Sequence, residues 1–185
     1  MKASDCPPHF TDFLNDLLEI VDGSTDADAE KDKELRDFVS GTIELSSLQI
    51  LSYLERLLFV VQKWGMDGIK DWLELLEKGG EAAVHADIEL AIREGRAPAD
   101  MFFDWAAWGG AVEESENGLL LNIQDLPDSA RLFFCNFIDV SKYQIDPALE
   151  GLPDYELYLF LEGIEYLDPV TIIAQVKRLL EEYSP

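Results

Sequence analysis

The sequence predicts an all-α protein, and three observations carry that expectation. Apolar residues recur at three- and four-residue spacing through most of the 185 residues, the period of a helix with one buried face. Only one short stretch, 119–123, reads as a strand, and the sequence offers it no partner. Hydrophobic residues make up 48 % of the chain, with 4 Trp, 6 Tyr and 10 Phe, enough to pack a core in spite of heavy acidity. The expected architecture is a single compact domain (residues 1–185) of about eight or nine helices around a buried central helix at residues 44–63, with two lobes meeting near 113–118 as a variant.

The elements follow in order. Phe10, Phe13, Leu14, Leu17, Leu18 and Val21 make one clean helical face, which Gly23 ends. Residues 22–34 are polar and acid-rich, and a helix resumes into Leu35, Phe38 and Val39. In 44–63 the apolar residues cover most of the helical wheel, the pattern of a buried helix. Gly65 and Gly68 bracket an expected turn, residues 69–76 form the next helix, and Gly79-Gly80 stops it. Val84, Ile88, Ala91 and Ile92 mark another helix, closed by Gly95. Met101, Trp105, Trp108 and Val112 repeat the pattern after Pro98. Residues 113–118 form a loop, Asp125 and Pro127 start a helix through Phe137 and Val140, and residues 146–153 form a second loop region. The last helix opens on Asp168 as N-cap and Pro169 at its first position, and buries Val170, Ile173, Val176, Leu180 and Tyr183. Lys177 and Arg178 lie toward its C-terminal end, where cations suit the helix dipole. No repeat of solenoid period is present.

Charge is the strongest functional signal. The chain has 38 Asp plus Glu against 14 Lys plus Arg, a net charge of -24. Residues 97–176 hold 15 acids against Arg131 and Lys142 alone, a net of -13, and so cannot neutralise themselves internally. Charge of this size attracts basic partners and repels nucleic acid and anionic lipid. The aliphatic-aromatic run 57–61 is too short to span a bilayer. Residues 1–8 have no apolar core of a secretory signal. Of the two cysteines, Cys135 lies in Leu132-Phe133-Phe134-Cys135-Asn136-Phe137 and is expected to be a buried thiol, and no disulfide framework is implied. A cytoplasmic location is the expectation.

The helix expected at 154–167 gives that charge a surface. On a wheel with Asp154 at 0°, Leu157, Phe160, Leu161, Ile164 and Leu167 fall between about 220° and 340°. Asp154, Tyr155, Tyr158, Glu162, Glu165 and Tyr166 fall between about 0° and 120°. Tyrosine contributes large contact area with few rotors, and carboxylates accept bidentate bonds from arginine. These six residues are the candidate partner-binding face. The acidic run Glu113, Glu114 and Glu116, beside Trp105 and Trp108, is a second candidate.

Catalytic patterns are missing from the sequence. His9 and His85 have no His or Cys at ligand spacing, and no Glu-x-x-His, phosphate-binding glycine loop or nucleophile elbow occurs. The i, i+3 acids Glu74 and Glu77, and Glu162, Glu165 and Asp168, have the spacing of helical Mg-dependent nucleotide pyrophosphatases, a spacing common by chance in so acidic a chain. The segment 26–32 has the alternate acids of a calcium loop but lacks its glycine and its closing glutamate. Ser46-Ser47 lacks the aspartate that precedes the modified serine of acyl carrier proteins. No enzyme activity, cofactor or metal is expected. In size, acidity and lack of catalytic residues the chain resembles bacterial immunity proteins and antitoxins. The resemblance implies a cationic toxin, such as a nuclease, as the basic partner. The alternatives are a DNA mimic that inhibits a DNA-binding enzyme, an adaptor or secretion chaperone with an exposed apolar groove, and, as the one enzyme reading, a Mg-dependent nucleotide pyrophosphatase.

Overall fold

A computed structural model describes residues 1–22, 27–93, 114–115, 118–140 and 153–183. The protein is mainly α-helical, as the periodicity predicts. Among the described residues the α-helices are α1 (Phe10–Val21), α2 (Ala29–Val39), α3 (Ser47–Arg93), α4 (Asp128–Cys135), α5 (Pro153–Leu161) and α6 (Pro169–Glu182). Two short 3-10 turns, Ala3–Asp5 and Ile123–Asp125, and a ribbon of two-residue strands complete them. The ribbon pairs β1 (Glu114–Ser115) with β2 (Gly118–Leu119) antiparallel. Leu121, in the stretch expected to be an unpartnered strand, bridges antiparallel to Leu167.

The chain divides into two compact units. The first comprises residues 1–62 and 120–185, and its core is aromatic. The six residues of the predicted α1 face are the six that α1 buries. From α1, Phe10 packs tilted against Phe133 with ring centroids 5.1 Å apart, and Phe133 meets Phe134 at 5.1 Å. Phe160 of α5 stands edge-on to Phe134 at 6.3 Å. Fully burying one such side chain stabilises a fold by about 1.5–3 kcal/mol, so this cluster fixes α1, α4 and α5 together. Ile50, Leu54, Leu57 and Leu58 of α3 are completely buried in the same unit.

Polar contacts fix the ends. Asp28 caps α2 by accepting from the Lys31 amide at 3.2 Å, and Asp168 caps α6 by accepting from Thr171 at 2.7 Å. Tyr53 donates to Glu34 and Arg56 pairs with Asp32, which join α2 to α3. The hydrogen bond to Glu34, with desolvation behind it, pushes the Tyr53 phenol up to about 12. The second unit, residues 63–119, holds the later part of α3 and the ribbon.

The structure corrects several expectations. Gly65 and Gly68 lie within helical α3, because glycine costs a helix only about 1 kcal/mol and no other breaker stands beside them. The break comes at Gly80, whose φ of 69° leaves the helical region. The separately expected helices at 44–63 and 69–76 therefore run as one, which lowers the helix count. The central segment is not buried all round. Leu48, Ser52, Glu55, Phe59 and Lys63 are exposed at four- and three-residue steps, an outward stripe. α4 stops at Cys135, before Phe137 and Val140. Cys135 is exposed, because α4 directs Ala130, Phe133 and Phe134 inward and turns 131, 132 and 135 outward, and the buried cysteine is Cys6. α6 buries Ile172, Val176, Leu179 and Leu180, while Val170 is half exposed: the face is rotated from the expected one. The expected helix at 98–112 and the loop region at 146–152 lie outside the described residues.

Candidate interaction surface

The helix that was to carry the acidic face ends six residues early. α5 closes at Leu161, and Gly163 takes a left-handed φ of 72°. The Gly163 amide donates to Phe160 at 3.0 Å and the Ile164 amide to Leu159 at 2.9 Å. That pair of bonds is the Schellman motif, which needs a residue free to adopt positive φ. Gly163 is the sequence signal for this end. Ile164 and Leu167 continue the apolar wheel on paper, yet Ile164 is 65 % exposed.

Past the cap, residues 162–168 are tied to the segment at 121–122. Leu121 and Leu167 exchange both backbone bonds, at 2.8 and 2.9 Å. The Asn122 side chain, almost fully buried, donates to the Gly163 carbonyl at 3.1 Å and to that of Glu165 at 3.4 Å. It also accepts from the Gln124 amide at 3.1 Å. A buried amide is costly unless its donors are used. Here they are used to hold one turn in one shape.

The six residues of the expected face are thereby divided. Glu162, Glu165 and Tyr166 stand together on the turn, partly exposed, with Ile164 projecting between them. Asp154 and Tyr155 open α5 at its other end. Asp154 takes an ion pair from Arg178 of α6 at 2.8 Å, and Glu156 accepts from Gln175 at 3.3 Å. Tyr158 is buried, with its ring 5.7 Å from that of Tyr155, so it belongs to the core edge and not to an outer face. Glu162 lies 3.7 Å from Arg131 of α4, on the outward side of that helix. Of the second acidic candidate, Glu114 opens β1, and Glu113 and Glu116 lie outside the described residues, as do Trp105 and Trp108.

The fold splits one of the metal-like spacings and pairs a member of the other. Glu162, Glu165 and Asp168 do not share a helix, and Asp168 is spent on capping α6. Glu74 pairs with Lys78 at 2.9 Å, and the hydrogen bond from that lysine holds its carboxyl below the ordinary range. Among the described residues no three His, Cys, Asp or Glu side chains converge as metal ligands, and no described helix is long and apolar enough to cross a membrane.

Electrostatically, the unit of residues 1–62 and 120–185 carries 25 acids against 9 Lys plus Arg, a net of -16. Residues 63–119 carry 13 against 5, a net of -8. The Glu162–Arg131 pair is long and partly solvated, and such pairs contribute at most about 1 kcal/mol. No family model, no curated protein and no solved structure matches the chain.

Proposed function

We propose that the protein binds and neutralises a basic partner protein, in the manner of an immunity protein or antitoxin facing a cationic toxin such as a nuclease. One observation carries this reading: 25 acids against 9 cations in the unit that also holds a preformed, partly exposed turn of Glu162, Ile164, Glu165 and Tyr166. The field steers a basic protein toward the surface, and short-range contacts at the turn then retain it. Because the turn is already held by Asn122 and the Leu121–Leu167 bridge, little ordering entropy is lost on binding. Arginines of the partner meet Glu162 and Glu165 as charge-assisted bonds, with Tyr166 and Ile164 supplying apolar area.

Affinity capture on the full chain, followed by calorimetry with the purified captured protein, tests the proposal. The expected result is 1:1 binding of one basic protein, tighter at low salt. Capture of several unrelated DNA-binding proteins, each displaced by duplex DNA, supports DNA mimicry in its place.

A further inference from the structure

The junction of α3 and α6 holds a groove of about 360 Å³ lined by Ser47, Leu48, Leu51, Lys177, Leu180 and Glu181. Leu51 and Leu180 are its nearly buried floor, and Leu48 stands at 75 % exposure, the most exposed large apolar side chain among the described residues. Lys177 and Glu181 are both exposed, one turn apart on α6. Lysine preceding glutamate is the weaker order for a pair within one helix, and these two form no ion pair with each other. An apolar knob, a groove and one unpaired charge of each sign thus share a single face.

We propose that this face is the contact of a two-fold homodimer. A two-fold axis between Lys177 and Glu181 sets the two α6 helices antiparallel. Each Lys177 then meets the other copy's Glu181, and each Leu48 enters the other copy's groove. Such self-complementarity is what an isologous contact demands. Its lining is also neutral, one lysine against one glutamate, unlike the -16 of the surrounding unit. Net repulsion between copies still weakens the dimer, and salt, by screening that repulsion, favours it. This inference is independent of the proposed toxin-binding role, whose interaction salt weakens.

Sedimentation equilibrium of the full chain, at low and at physiological salt, tests it. The expected result is concentration-dependent dimerisation that strengthens with salt. L48D should weaken it by more than about tenfold, with an unchanged melting temperature at concentrations where both chains are monomeric, because Leu48 is exposed. K177E and E181K should each weaken it, and the K177E/E181K swap should restore it by reversing both pairs. A wild-type chain that stays monomeric at high concentration in salt overturns the proposal. So does L48D dimerising as before, or a swap that fails to restore what either single variant loses.

Discussion

Cys135 ends α4 on its outward side, while Cys6 packs with its sulfur 3.5 Å from that of Met1. Burial, reinforced by Asp5, pushes the Cys6 thiol up to about 11. Both access and thiolate supply therefore slow its alkylation. Iodoacetamide followed by peptide mass spectrometry should modify Cys135 at least about tenfold faster than Cys6, and denaturant should abolish the difference. Equal rates in the folded protein would mean that Cys6 is not packed as described. The sequence around Cys135 is apolar, which pointed to a buried thiol. Composition over six residues does not give helical phase, however. The phase is set by which of Phe133, Phe134 and Cys135 the ring cluster accepts, and two phenylalanines fill it better than one thiol.

At the scale of elements, periodicity was sufficient where nothing interrupted it. The α1 face was legible because six apolar residues repeat without a competing signal. At α5 the wheel and the glycine disagreed. Ile164 and Leu167 extend the apolar stripe, but Gly163 offers a cap that satisfies carbonyls a continued helix would leave to later turns, and Asn122 from a distant segment completes it. That long-range bond is not readable from local sequence. Replacing Gly163 by Ala places a Cβ 3.5 Å from the Asn122 oxygen, ordinary contact, so the cost is backbone strain alone. We expect about 1–2 kcal/mol of lost stability in chemical denaturation. Asn122→Ala should cost about 1–3 kcal/mol by leaving the partly buried Gly163 and Glu165 carbonyls unbonded. No loss in either variant would contradict the cap and its tether.

At the scale of the whole molecule, charge was legible in amount and not in direction. The sequence placed the candidate face on one helix, 154–167, whereas the fold keeps Asp154 with Arg178, buries Tyr158, and leaves Glu162, Glu165 and Tyr166 on a separate turn. Side-chain neighbours from α4 and α6 decide this, and they lie outside any local window. A net charge of -24 opposes compaction, so the melting temperature should rise as salt is added from about 10 mM to 100 mM, over which the screening length falls from about 30 to 10 Å. A melting temperature that falls with salt would show that internal ion pairs outweigh repulsion. We propose that a basic partner is held at the turn after α5. The most direct test is calorimetry of the captured basic protein against the E162K/E165K chain, with E19K/E30K as an equal change of charge on α1 and α2. The turn variant should lose at least about a hundredfold in affinity, near 2.7 kcal/mol, and the control less than tenfold. Equal losses in both variants, or none at the turn, would contradict it.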